Sequence, residues 1–233
     1  MPMRPEGHYL KLLRQGDLLL ETLQSILADR AARKYHAVRR ALASHPRTPR
    51  REALSLVSTL FWRDLAHLSA DTKANPEVRR AADRDLLRRL PEMALAERVD
   101  LAKSVGRGTL AFLRQDEDPR VVAAVLDNRF ATEADVVQAA ARPETPSAVL
   151  EVIARHPRWS LRAGVRSALL RNPVLPEPLA LGLLTRATRD DLEGLASAPG
   201  VSRFLRLCAQ RVLAQRGRGD YDPSSENSGI ERG

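Results

Sequence analysis

Apolar residues along the chain fall in pairs at a repeated spacing. After Thr145 come Val149 and Leu150, then Ile153 and Ala154. After Thr132 come Val136 and Val137, then Ala140 and Ala141; counting from Leu175 gives Leu179 and Ala180, then Leu183 and Leu184. After Thr48 the first pair is imperfect, Glu52 and Ala53, and the second is Leu56 and Val57. From Asp118 the pattern comes one residue earlier, as Val121, Val122, Val125 and Leu126. Residues four apart share one helix face, so each segment predicts a helix of about 9–12 residues with a single apolar stripe. Between Thr145 and Leu175 a second helix is expected to carry Leu161, Val165, Ala168 and Leu169. The stretch Glu77–Leu90, with Val78, Ala81, Ala82 and Leu86 among arginines and acids, predicts a longer helix.

The starts of these helices are punctuated. A polar residue precedes proline at Thr48-Pro49, Asn75-Pro76, Asp118-Pro119, Thr145-Pro146 and Asn172-Pro173. The polar side chain can accept a hydrogen bond from a free amide of the first turn, and proline loses nothing where no amide partner exists. Thr132-x-x-Asp135 and Thr188-x-x-Asp191 resemble capping boxes with Asp in the place of Glu. Sustained alternation and hairpin dipeptides are missing from the sequence, so no sheet is expected.

Helices this short are marginal alone and must stack on neighbours. Repeated short helices with shared caps and stripes predict an all-α chain built as an α-solenoid. The phrases His45-Pro46-Arg47-Thr48-Pro49, Arg142-Pro143-Glu144-Thr145-Pro146 and Asn172-Pro173-Val174-Leu175-Pro176 resemble the N-P-x-T-P turn of leucine-rich-repeat-variant proteins. Asp118-Pro119-Arg120-Val121-Val122 resembles the helix start of the same repeats and of HEAT-like repeats. The resemblance covers about residues 118–185, is weaker over 44–117, and leaves out 1–43 and 200–233. It implies a superhelix of short stacked helices and says little about a ligand. Some members of the variant family hold a cysteine-ligated iron–sulfur cluster; Cys208 alone cannot supply one, so no cofactor is expected here. The expected organisation is a basic helical cap over 1–43, HEAT-like repeats over 44–214, and a disordered tail over 215–233.

Composition sharpens this picture. Hydrophobic residues make up 43% of the 233 and aromatic residues only 4%, so the core must be mainly Ala, Leu and Val. No apolar run approaches the roughly 18 residues a membrane span needs. The leucines near the N-terminus are interrupted by Lys11, Arg14 and Asp17, so no signal peptide is expected. The single cysteine points to a reducing, cytoplasmic setting. The net charge is +9, and +6 of it falls within residues 1–50.

That excess marks the candidate contact residues: Arg30, Arg33, Lys34, Arg39, Arg40, Arg47, Arg50 and Arg51. On one helix, Arg30, Arg33, Lys34 and Arg40 would form a stripe able to meet phosphates or carboxylates. Only Tyr35 interleaves, which argues against base stacking. Trp159, at a repeat turn, is a candidate exposed anchor for a partner, whereas Trp62 is expected to pack. The histidines lack ligand spacing for a metal. His45 and His156 read as polar turn residues, and the acidic pairs as caps or solvated groups. Gly106-Arg107-Gly108-Thr109 reads as a loop with Thr109 as helix cap, and Cys208 as a small buried residue. No set of nucleophile, base and oxyanion donors stands out, so no catalytic residue is assigned. The expected function is a non-catalytic scaffold presenting a helical-repeat surface to a protein partner, with acidic proteins among the candidates; the alternative is a nucleic-acid-binding module using the N-terminal arginines.

Overall fold

The computed structural model describes residues 5–198 and 201–219, and among these it is all-helical, with no strand. The chain forms two compact units, residues 1–131 and 132–233. The first holds α1 (Glu6–Leu13), α2 (Leu20–Ala28), α3 (His36–Ser44), α4 (Arg50–Val57), α5 (Trp62–Ala70), α6 (Pro76–Arg89), α7 (Leu95–Ser104), α8 (Arg107–Leu113) and α9 (Pro119–Leu126). The second holds α10 (Glu133–Ala141), α11 (Ser147–Arg155), α12 (Ala163–Arg171), α13 (Glu177–Leu184), α14 (Arg189–Ser197) and α15 (Arg203–Gly219). The segment expected as a cap lies in the first unit with α4–α9. The segment expected as a tail begins inside α15, and its residues 220–233 lie outside the described residues. Among the described residues no helix is long and apolar enough to cross a membrane.

The predicted stripes form much of the core, although in α10 Ala139 is buried where Ala141 was expected, and Ala141 is exposed. Val121, Val122, Val125 and Leu126 are all buried, as are Val149, Leu150 and Ile153 of α11 and Ala180, Leu183 and Leu184 of α13. The second helix of the 145–175 pair starts later than its stripe predicted. Leu161 precedes α12 and is exposed, while Val165 and Leu169 are buried.

Caps divide into those that formed and those diverted. Asn75 and Asp118 accept the amides of Glu77 and Arg120 at 2.8 and 2.9 Å, with proline in the first helical position. Both capping boxes form, at Thr132–Asp135 and Thr188–Asp191. Thr48, Thr145 and Asn172 do not cap. The helices that follow begin later, with Pro49, Pro146 and Pro176 at the N-cap. Thr145 and Asn172 serve the interior instead, Thr145 Oγ1 donating to Ala139 O at 2.8 Å, whereas the buried Thr48 hydroxyl makes no hydrogen bond.

The diverted polar groups reveal how layers are joined. Each helix leaves its last carbonyls unpaired, and in several cases a residue past the end of the helix two places later supplies the donor. His45, after α3, faces Gln15 O past the end of α1 at 3.1 Å. Asn128, after α9, donates to Ala102 O and Val105 O at the end of α7. Asn172, after α12, donates to Ala140 O and Arg142 O at the end of α10. Arg89 reaches Leu60 O just past α4, and Arg216 reaches Thr185 O and Ala187 O past α13. Helix packing follows the same step within each unit: α4 on α6, α5 on α7, α6 on α8 and α7 on α9 in the first, and α10 on α12, α11 on α13 and α12 on α14 in the second.

The glycine pair marks a close approach. Gly106 is the N-cap of α8, and its amide donates to Ser69 Oγ at 2.9 Å. A Cβ at Gly106 would lie 2.3 Å from Ser69 O, and one at Gly108 would lie 2.3 Å from Asp83 Oδ2. Thr109 is therefore no cap. It is fully buried inside α8, and its amide and hydroxyl donate to Asp83 Oδ1 at 3.1 and 2.7 Å. Asp83 is half-buried and Asp85 buried, so neither is a freely solvated group. Desolvation raises Asp83 above the ordinary carboxylate pKa, against the Thr109 hydrogen bonds and the attraction of Arg79. Asp85 is buried and held by Arg88 and Arg89. Cys208, expected in the core, is half-buried on α15.

Candidate functional site

The first turn of α5 carries Asp64, a carboxylate only 8% exposed. It sits where a helix N-terminus favours negative charge, and two side chains of α3 close on it. His36 Nε2 bonds Asp64 Oδ2, and Arg40 Nη1 donates to Oδ1 at 3.1 Å. Arg39 Nη2 faces His36 Nδ1 at 3.1 Å; an arginine only donates, so the imidazole proton belongs on Nε2. Arg39 Nη1 in turn donates to Arg33 O and Lys34 O at 2.9 and 3.1 Å, closing the short 3-10 turn Ala32–Lys34. The His36 ring lies on Phe61, with centroids 4.1 Å apart. One connected set of contacts thus fixes the 3-10 turn, α3 and the start of α5.

Below this set runs a groove along one face of α5. Its upper end is a cavity of about 470 Å³ lined by Arg40, Phe61, Trp62, Arg63, Asp64 and His67. A narrower depression of about 170 Å³ follows, between Ser44, Asp64, His67 and Asp71. The wide end, about 800 Å³, is lined by His67, Lys73, Lys103, Arg129 and Phe130 among others. His67 lines all three, and Asp64, His67 and Asp71 follow the helical spacing that puts them on one face.

The groove is cationic and ringed with aromatics. Arg63 stacks 4.9 Å from the Trp62 centroid, and Trp62 Nε1 donates to Glu97 Oε1 at 3.2 Å. Arg129 lies 4.7 Å over Phe130 and reaches Ala70 O at 3.5 Å. Asp100 on α7 attracts Lys103 at 3.2 Å and Arg63 at 3.9 Å. The two acids in the groove are occupied, Asp64 by His36 and Arg40, and Asp71 by the amide of Lys73. Among the described residues, the side chains of His67 and Lys73 have no hydrogen-bond or ion-pair partner. Among those residues, too, no three His, Cys, Asp or Glu side chains converge to hold a metal ion.

The predicted arginine cluster divides in two. Arg39 and Arg40 are tied into the Asp64 set. Arg47 donates to Asp17 O and Leu18 O at 3.0 Å, and Arg50 pairs with Glu77. Arg30, Arg33, Lys34 and Arg51 are exposed, and among the described residues their side chains have no partner. The expected stripe does not form. Arg30 precedes the 3-10 turn, Arg33 and Lys34 belong to it, and extended Tyr35 separates it from α3. Trp159 is not an exposed anchor: it is 1% exposed and belongs to the core, with Arg158 stacked 4.1 Å over its ring. Trp62, expected to be packing, is only half-buried and opens α5.

Sequence reasoning missed Phe61, Arg63, His67, Lys73, Lys103, Arg129 and Phe130 as one site. Their only local signal is the Phe61-Trp62-Arg63 run, two rings and a cation in a chain poor in aromatics. Comparison with known protein families, curated proteins and solved structures finds no match for the chain.

Proposed function

We propose that the protein is a non-catalytic helical-repeat scaffold, and that the α5 groove of its first unit binds an extended anionic partner. The packing of α4 on α6, α5 on α7, α6 on α8 and α7 on α9, and of α10 on α12, α11 on α13 and α12 on α14, with the donors passed along the same step, supports the solenoid reading; so do the turn phrases that resemble those of leucine-rich-repeat-variant proteins. The observation that carries the binding reading is the charge balance of the groove. Arg40, Arg63, Lys73, Lys103 and Arg129 line it; Arg40 pairs with Asp64 and Arg63 and Lys103 share Asp100, which leaves Lys73 and Arg129 as cations with no acid partner among the described residues. Arg33 and Lys34, on the turn that Arg39 holds beside α3, and Arg30 just before it, add to the positive field of the first unit. Heparin chromatography tests the reading. The full chain is expected to be retained at low salt and released between about 50 and 200 mM. The double reversal Lys73→Glu and Arg129→Glu is expected to elute earlier. Absence of retention at low salt, or unchanged elution of the double variant, sinks the proposal.

A further inference from the structure

We infer that the extended anion taken by the α5 groove is a single-stranded nucleic acid, an assignment that rests on the binding reading above. The groove alternates two kinds of group. At its upper end Phe61 and Trp62 stand beside Arg40 and Arg63; at its lower end Phe130 stands beside Lys73, Lys103 and Arg129. Cations suit any polyanion, but ring faces suit a partner that is anionic and also carries flat apolar groups. An unpaired strand has both, in phosphates and exposed base faces. In a duplex the base faces are hidden in the stack, and an acidic polypeptide offers carboxylates without rings.

Phe61 is the decisive residue. It is 65% exposed although His36 covers one side of its ring at 4.1 Å. The exposure therefore lies on the other side, where a base would continue the His36–Phe61 stack. An exposed phenylalanine held in place by a neighbouring ring is a preformed platform, so a base stacks on it without a further loss of side-chain freedom. His36 is itself fixed by Asp64 and Arg39, which makes the platform rigid. Arg63, lying over Trp62, places a guanidinium beside the second ring, where a phosphate adjoining a stacked base would fall.

Fluorescence anisotropy of the full chain with a labelled oligothymidylate tests this, with a duplex of the same length and polyglutamate as competitors. The oligothymidylate is expected to bind, and both competitors to displace it poorly. Phe61→Ala and Phe61→Leu are expected to weaken binding by about tenfold, and Phe61→Tyr to preserve it. Heparin retention of the Phe61 variants is expected to stay unchanged, because their charge is unaltered; changed retention of both Ala and Leu variants counts against the platform. Lys73→Glu is expected to flatten the salt dependence by at least about 0.7 in logarithmic slope. If heparin is retained but oligothymidylate is not bound, the assignment fails and the groove reading stands. If neither is bound, both fail. Equal or better competition by duplex or polyglutamate, or unchanged binding by Phe61→Leu, also overturns the assignment.

Discussion

Asn128 and Asn172 make one and the same set of hydrogen bonds. Asn128 Nδ2 donates to Ala102 O and Val105 O at 2.7 and 3.1 Å while its Oδ1 accepts the Phe130 amide at 2.8 Å. Asn172 Nδ2 donates to Ala140 O and Arg142 O, both at 2.8 Å, while its Oδ1 accepts the Val174 amide at 2.9 Å. Each asparagine is buried, shapes its own turn, and satisfies the last carbonyls of an earlier helix. Replacing either by Ala leaves two carbonyls unpaired and is expected to cost about 2–4 kcal/mol. Replacement by Asp keeps the turn acceptor but sets a carboxylate against two carbonyls, and is expected to cost at least as much. Urea unfolding midpoints check both; an Asp variant as stable as the wild type would contradict the donor role.

The contacts at Gly106 and Gly108 rank two further variants. Both added Cβ atoms would approach another atom to 2.3 Å, but Gly106 meets the backbone of Ser69, and Gly108 meets a side chain. A carboxylate can turn aside, at the expense of its bonds to Thr109, whereas the end of α5 must move as a body. Gly106→Ala is expected to destabilise by about 1–3 kcal/mol or more, and Gly108→Ala by less. Thermal melts followed by circular dichroism give the order, and a reversed order would contradict the close packing of α8 on α5.

Asp83 and Asp118 are expected to pull the pH dependence of stability in opposite directions. Burial raises Asp83 above its ordinary value of 3.8. The folded state then binds the proton more tightly than the unfolded chain, so stability falls as pH rises from 3.8 through the folded pKa, and the full cost of the buried charge stands above it. Asp83→Asn retains an acceptor for Thr109 without that charge. Relative to the wild type, it is expected to gain stability between about pH 4 and pH 7. Asp118 is lowered from 3.8, first by its side-chain bond with Arg120 and then by the Arg120 amide. Its contribution is present above 3.8 and is lost as pH falls through the folded pKa, so Asp118→Asn is expected to show the opposite trend. Melting temperatures from about pH 7 down to about pH 2.5, for wild type and both variants, decide the signs, Asp83→Asn above 3.8 and Asp118→Asn below it; a flat difference for Asp83→Asn would contradict the desolvation of its charge.

Most of the helices are legible in short windows of the chain, although α4, α11 and α12 start later than their stripes suggest. Stripes at four-residue spacing, capping boxes at Thr132 and Thr188, and caps at Asn75 and Asp118 act over one or two turns, so their physics is complete within a short window. The sequence also held the donors that join the layers, at His45 and Asn172, but without their targets. Those targets lie 30 or more residues away, and the competition between capping the next helix and serving an earlier one is decided only when the helices pack. Partners a few tens of residues away also separate arginines that look alike in the sequence. Arg40 finds Asp64 across 24 residues and Arg47 finds Asp17 across 30, while Arg33 and Arg51 remain exposed. Packing buried Trp159 and left Phe61 outside. Only tertiary structure brought Phe61, Lys73, Lys103 and Phe130 to one groove, because a binding surface is made of side chains that adjacent helices leave uncovered, and no local spacing encodes which those are.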